Sequence, residues 1–154
     1  MSTFFSMNRR RFMSAAATFS ATLVALPVFA AGRVAKSKDG VAIKGYDTTA
    51  YFTKGKAQPG AQPNSVEWNG ATWQFASAED AAKFAASPEA FAPKFGGFCT
   101  RAMSLKIIVP ADPEVWRIHG DKLYMFARPV GGTFFDKGPD EMIKKAQAYW
   151  DTLS

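Results

Sequence analysis

Large apolar and polar residues alternate in two stretches of the chain, a pattern typical of strands that bury one face. In the first stretch, residues 66–68 and 72–75 flank Asn69-Gly70, a dipeptide that readily takes positive φ in a tight turn. Both stretches predict a β-hairpin. The second predicted hairpin consists of residues 116–118, the turn 119–121 and residues 123–126.

The segment after the first hairpin carries the signals of a helix start. Ser77 is able to cap free backbone amides, and the acidic residues Glu79 and Asp80 suit the positive end of the helix dipole. The pattern therefore predicts a helix that begins at Ser77. The residues expected to face the core are Ala82, Phe84 and Ala85.

A second helix start follows at residues 87–88, where a capping serine precedes a proline at the first helical position. We expect a shorter helix that contains Phe91 and Phe95 and ends at the glycine pair 96–97. Residues 98–104 are compatible with one more helical turn.

The C-terminal segment has apolar residues at helical spacing, which predicts a terminal helix that starts at Gly138. Residues 43–52 lack a helical period and are interpreted as an extended arm or short strands. Residues 54–64 are predicted to be a loop because of their proline and glycine content, and no internal repeat is visible. The apolar face of the terminal helix comprises Met142, Ala146, Tyr149 and Leu153.

A chain of 154 residues is long enough for one domain and too short for two of ordinary size. A hydrophobic content of 47% with 21% charged residues excludes intrinsic disorder. The single cysteine, Cys99, excludes an intramolecular disulfide framework and a four-thiolate zinc site. Two hairpins, short helices and a C-terminal helix therefore predict a small compact α+β domain over residues 31–154.

Residues 1–30 have the pattern of an export leader. Three arginines at positions 9–11 precede an apolar stretch, residues 14–28, that is too short and too weakly hydrophobic for a stable transmembrane helix. Small residues at the peptidase positions predict cleavage after Ala30. The segment Asn-Arg-Arg-Arg-Phe-Met is similar to a twin-arginine signal, and an ordinary secretory leader is the alternative. The mature chain is expected in the periplasm.

Removing the leader changes the meaning of the charge. Loss of its three arginines lowers the formal net charge from +6 to +3, and the remaining basic residues form no run. We therefore expect no nucleic-acid partner and no stable membrane anchor after cleavage, whereas a protein partner in the envelope is compatible with the sequence.

Four segments in order resemble the exported YHS-domain protein family. They are Ile-Lys-Gly-Tyr-Asp-Thr-Thr-Ala-Tyr-Phe at 43–52, Trp-Asn-Gly-Ala-Thr-Trp-Gln-Phe-Ala-Ser at 68–77, residues 84–93, and Gly-Gly-Phe-Cys at 96–99, and the similarity extends through 123–124 and 144–150. The resemblance implies a small α+β domain related to treble-clef metal-binding modules, which occur in metal-trafficking proteins and other contexts.

The chain departs from this family at the metal ligands. Positions that hold cysteines in metal-binding relatives correspond here to Ala50, Ala76 and Asp80. Alanine has no donor atom for a metal, and Asp80 is explained as a helix-start carboxylate. The resemblance therefore supports the fold more strongly than it supports metal binding.

Cys99 is the main chemical candidate. If residues 98–104 are helical, Cys99 and Met103 share one face and offer two soft sulfur donors suited to a soft transition metal such as Cu(I). A helix start and nearby Arg101 would favour a thiolate there. The alternatives are a thiol-redox partner without a resolving cysteine, and plain core packing of both residues.

His119, the single histidine, lies in the second predicted turn and is interpreted as a solvated residue. The sequence contains no nucleophile elbow, phosphate-binding glycine loop, zinc-protease helix or EF-hand loop. We therefore expect a non-enzymatic periplasmic binding or accessory module that handles a metal or a metal-containing cofactor. The alternatives are a single-cysteine redox partner protein and a ligand-free structural protein of the envelope.

Overall fold

A computed structural model describes residues 33–153 of the chain. The leader predicted for residues 1–30, with its cleavage after Ala30, lies outside the described residues. Residues 33–153 form one α+β unit with two hairpins, short helices and a C-terminal helix, which confirms the predicted fold class. None of the helices in this range has the length and apolar character needed to cross a membrane.

Each hairpin forms its own two-stranded antiparallel sheet, as the alternating patterns predict. In the first hairpin both central turn residues have positive φ, 53° at Asn69 and 74° at Gly70, which is the geometry expected for this dipeptide. The first strand begins earlier than predicted, so the proposed loop at 54–64 is wrong over its last residues. The strands are β1 (Ala61–Trp68), β2 (Ala71–Phe75), β3 (Asp112–His119) and β4 (Lys122–Phe126).

Residues 33–153 also contain six α-helices. Ser77 caps the second of them as predicted, since its hydroxyl accepts a hydrogen bond from the Asp80 backbone amide at 3.1 Å. Phe84 is buried, but Ala82 and Ala85 are exposed, so the predicted core face of this helix is wrong at both alanines. The helices are α1 (Thr48–Thr53), α2 (Ala78–Ala86), α3 (Pro88–Phe91), α4 (Thr100–Ser104), α5 (Pro129–Lys137) and α6 (Pro139–Trp150).

Two local predictions are corrected. Residues 43–52 are mainly helical, and only Tyr46 and Asp47 are extended. A 3₁₀ turn at Ile43–Gly45 precedes them and α1 follows, with the Asp47 carboxylate accepting a hydrogen bond from the Thr49 amide at 2.9 Å. Phe95 does not belong to α3, because it has φ of 56° in a separate 3₁₀ turn, Lys94–Gly97. Helix α5 was not predicted. In the terminal helix, Met142 and Ala146 are buried as expected.

The two halves of the described fold share one backbone pattern, although the sequence shows no visible repeat. Ala61 begins β1 and Asp112 begins β3, 51 residues later, and β2, α2 and α3 recur as β4, α5 and α6 at the same spacing. Ala61 pairs with Phe75 and Asp112 with Phe126, and the same register shift follows in both hairpins.

The repeat also covers the segments before the hairpins, at a spacing of 52 residues. Residues 43–45 and 95–97 each have three successive positive φ angles. Each run is followed by a short helix whose N-cap side chain accepts a hydrogen bond from a backbone amide. The N-cap residue is Asp47 for α1 and Cys99 for α4. Cys99 of the second half therefore stands where the first half has Asp47.

The aromatic packing of the two halves is more similar than their amino-acid sequences are. Phe84 of α2 and Phe135 of α5 occupy equivalent positions, and each is surrounded by three rings with centroid distances of 4.9 to 5.9 Å. Across residues 61–91 and 112–142, however, the halves share just four identical residues out of 31 aligned positions. The ring partners are Trp68, Trp73 and Phe75 in the first half and His119, Tyr124 and Phe126 in the second.

Strand β4 connects the two halves through its two faces. Leu123 and Met125 belong to the hydrophobic cluster of the first half, whereas Tyr124 and Phe126 belong to that of the second. All four side chains are buried, which explains why β4 reads as a continuous apolar run.

Candidate functional site

Cys99 lies at the N-terminus of α4 and is 5% exposed. Its Sγ accepts a hydrogen bond from the Ala102 backbone amide at 3.4 Å, so the sulfur acts as a helix cap. The predicted position at a helix start is therefore correct. The burial of the thiol opposes the redox interpretation, since exchange with a partner requires access to the sulfur.

Met103 follows Cys99 by one helical turn and is fully buried. Both residues belong to the hydrophobic cluster of the second half, as does Met142 of α6. The structure thus brings the two predicted sulfur residues into one cluster and adds a third sulfur that the sequence did not suggest. The described residues contain no group of three or more His, Cys, Asp or Glu side chains able to hold a metal ion.

The positions that the sequence resemblance aligns with metal ligands do not fit a thiolate site. Ala50 is buried in α1 and provides no donor. Asp80 is paired instead with two ammonium groups, Lys54 at 3.4 Å and Lys83 at 3.6 Å. Burial raises the pKa of Asp80, but its hydrogen bond with Ser77 and the charge of Lys54 outweigh burial and keep that pKa below its usual value.

The remaining position of this set is Ala76, whose backbone amide donates a hydrogen bond to the Asp47 carboxylate. The Oδ1 atom of that carboxylate accepts from the Thr49 amide at 2.9 Å and from the Thr49 hydroxyl at 2.7 Å, while Oδ2 accepts from the Ala76 amide at 3.0 Å. The carboxylate is completely buried and joins the start of α1 to the end of β2. These residues therefore stabilise the fold of the first half.

His119 is the last residue of β3, next to the turn of the second hairpin. Its Nε2 lies 3.0 Å from Asp140 Oδ1, and its ring packs edge-on against Phe135 at 5.9 Å. The equivalent residue of the first half is Trp68, which makes the same edge contact with Phe84. The His119 ring therefore has the same packing role in the second half as the Trp68 ring has in the first.

A groove of about 470 Å³ opens between α4, α5 and α6. It was not predicted, because α5 was not predicted and the groove requires three helices to converge. One sequence signal was readable: two consecutive phenylalanines in a helix cannot both face the core, so Phe134 beside buried Phe135 must point elsewhere. The lining residues are Arg101, Ser104, Leu105, Phe134, Lys137, Gly138, Glu141, Met142 and Lys145.

The first half closes the equivalent space with an aromatic pair. Phe52 of α1 packs edge-on against Phe91 of α3, with ring centroids 5.7 Å apart. At the equivalent positions the second half has Ser104 and Met142, and both line the groove. The small Ser104 side chain leaves open the volume that the Phe52 ring fills in the first half.

The groove combines exposed apolar groups with cations. Phe134 is 43% exposed and Leu105 is 56% exposed. The Arg101 guanidinium lies over the Phe134 ring at 3.6 Å from its centroid, and the Lys137 ammonium lies 5.8 Å from it. Such contacts hold the cations beside the ring.

The chain matches no protein-family model, no curated protein and no solved structure. The resemblance to exported YHS-domain proteins therefore stays a prediction from the sequence.

Proposed function

We propose that the mature chain is a non-enzymatic binding or accessory module of the periplasm, and that its binding site is the groove between α4, α5 and α6. The observation that carries this proposal is the difference between the two halves. The first half fills the space between its short helices with Phe52, whereas the second has Ser104 there and keeps a groove.

The dimensions of the groove suit a small ligand. Binding pockets for small molecules have volumes of roughly 300 to 1,000 Å³ and mostly apolar walls with a few polar groups. The groove has about 470 Å³, which lies in this range, and four of its nine lining residues are charged, so its walls are more polar than those of a typical pocket. A ligand that covers exposed apolar side chains such as Phe134 and Leu105 removes their surface from water, which favours binding.

The test is to map fragment binding onto the fold by NMR. A mixture of uncharged, anionic and cationic fragments is titrated into ¹⁵N-labelled mature protein, and amide shifts are followed. We expect shifts that concentrate on α4, α5 and α6 and disappear in Ser104→Phe, which supplies the ring of the first half. Shifts confined to other surfaces, or none with any fragment, would contradict the proposal.

The periplasmic part of the proposal rests on residues 1–30. Replacing Arg9 and Arg10 with lysine keeps the charge but removes the guanidinium geometry, so uncleaved precursor should accumulate in the cytoplasm. Normal export of this variant would instead favour the general secretory route. Mass spectrometry of the periplasmic wild-type protein checks the expected N-terminus at Ala31.

A second candidate function is Cu(I) binding by Cys99 and Met103. The observation that favours it is Met142, which adds a third soft sulfur to the same cluster. Titration of the mature protein with Cu(I) against a chromophoric competitor should then show one copper that Cys99→Ser abolishes and Met142→Leu weakens. If wild type binds no copper and Cys99→Ser changes nothing except the melting temperature, both sulfurs are core packing.

A further inference from the structure

We infer that the groove between α4, α5 and α6 selects a small amphiphilic anion, a carboxylate or sulfonate with an apolar tail. This inference rests on the proposed function and names the ligand class of the same groove. Three features support it: two cations without a carboxylate partner, a neutralised acid, and an apolar floor. In the first half, the residues equivalent to the two cations and to the exposed ring are different.

Two cations of the groove, Arg101 and Lys137, have no acidic partner among the described residues. Among the ion pairs of residues 33–153, none involves Arg101 or Lys137, and the contact found for each side chain is with the Phe134 ring. A guanidinium and an ammonium that line one groove leave unused hydrogen-bond donors that a carboxylate or sulfonate accepts.

The single acid of the groove does not cancel this charge. Glu141 is already held by the Lys145 ammonium at 2.7 Å. That hydrogen bond keeps the pKa of Glu141 below its usual value, so the pair stays ionised and neutral overall at pH 7. Arg101 and Lys137 therefore give the lining a net positive charge, which disfavours a cationic ligand.

The floor of the groove fits the apolar part of such a ligand. Leu105 and Phe134 present exposed apolar surface, and Met142 lies behind them with 7% exposure. Val130 is 56% exposed and lies four residues before Phe134, on the same face of α5. A tail lying along this floor would remove apolar surface from water.

The first half provides the internal comparison. The residues equivalent to Arg101 and Lys137 are Thr49 and Ala86, and the residue equivalent to Phe134 is Lys83. Lys83 is paired with acids of its own helix. The unpaired cations and the exposed ring therefore occur together in the second half, whereas the first half has two uncharged residues and a paired lysine at the equivalent positions.

The experiment compares three ligands that share one tail and differ in charge. Decanoate, decanol and decyltrimethylammonium are titrated below their aggregation concentrations, and amide shifts of α4, α5 and α6 give the dissociation constants. We expect decanoate to bind tightest. Arg101→Thr and Lys137→Ala, which introduce the residues of the first half, should each weaken decanoate by about twofold to fivefold and leave decanol unchanged.

Lys56→Ala is the matched control. Lys56 is an exposed lysine in the loop before β1, so this variant has the same charge change as Lys137→Ala without touching the groove. Decanoate binding should stay at the wild-type value. An equal loss in the control would show that net charge alone attracts the anion, and the inference would then be wrong.

Three further results separate the possibilities. If all three ligands bind equally and Ser104→Phe blocks them, the proposed function stands and the anion selectivity is refuted. If none binds the groove, both the inference and the proposed function fail. If phosphatidylglycerol vesicles bind the protein through Arg101 and Lys137 while decanoate does not, the surface recognises a membrane and the inference is refuted.

Discussion

The equivalence of Asp47 and Cys99 predicts that the same substitution has very different consequences in the two halves. Asp47→Ala removes an acceptor from three donors: the amide and hydroxyl of Thr49 and the amide of Ala76. Cys99→Ala removes one weak sulfur acceptor, which receives the Ala102 amide at 3.4 Å.

The magnitudes follow from the number and kind of these bonds. A hydrogen bond to a charged group contributes about 1.5 to 3 kcal/mol, and a buried donor left unpaired costs about 1 to 3 kcal/mol. Because the three bonds of Asp47 share one carboxylate and are not additive, we expect Asp47→Ala to lower the free energy of unfolding by at least about 3 kcal/mol. Cys99→Ala loses a helix cap and should cost about 1 kcal/mol.

Urea unfolding of the mature chain at pH 7, followed by tryptophan fluorescence, measures both values. Asp39→Ala is the control, because this exposed acid lies in the turn before the first half and should change the free energy of unfolding by less than about 0.5 kcal/mol. If Asp47→Ala does not fold, Asp47→Asn, which keeps one acceptor oxygen, should fold with an intermediate loss. Equal losses for Asp47→Ala and Cys99→Ala would refute the reasoning.

Three further predictions concern the turn, a buried hydroxyl and acid stability. Gly70→Val should lower the free energy of unfolding by about 1 to 2 kcal/mol, because φ at Gly70 is +74° and nothing else crowds the site; unchanged thermal unfolding would contradict this. Thr100→Val should leave stability unchanged or raise it, because the buried Thr100 hydroxyl has no partner among the described residues, whereas Thr49→Val should lower it by about 1 kcal/mol or more, as measured by urea unfolding. The lowered pKa of Asp80 stabilises the fold fully above the unfolded-state value of about 4, and this contribution is lost as the pH falls through the folded-state pKa. Melting temperatures between pH 7 and pH 2 should therefore fall less steeply in Asp80→Asn than in wild type, and parallel curves would count against the ion pairs with Lys54 and Lys83.

Local signals in the sequence were sufficient for much of the fold. The Asn69-Gly70 turn, the Ser77 cap and the apolar spacing of the terminal helix each depend on residues close in the chain, and all three are confirmed. The same local reasoning failed for residues 43–52. Their helix α1 is six residues long, which is too few turns for a hydrophobic periodicity to be visible. The helix is stabilised by the Asp47 carboxylate, whose second oxygen accepts a hydrogen bond from the distant Ala76 amide.

The candidate sites divide in the same way. From the sequence, Cys99 was expected at a helix start with Met103 one turn away, and both expectations hold because four residues of one helix determine them. The sequence alone did not reveal that Met142 belongs to the same hydrophobic cluster, nor that the thiol is buried. In the fold, α6 packs against α4 although β3, β4 and α5 separate the two helices in the chain.

The repeat and the groove belong to the tertiary structure alone. Ring packing around Phe84 and Phe135 depends on size and shape, so tryptophan, tyrosine, histidine and phenylalanine all serve in it. The two halves therefore share one backbone although few of their residues are identical. The groove exists because Ser104, Phe134 and Lys137 come from helices that are separated in the chain and converge in the fold. The sequence determines turns and helix caps directly, because their hydrogen bonds join residues that are close in the chain. A cavity is lined by side chains from segments that are far apart in the chain, so only the tertiary structure determines it.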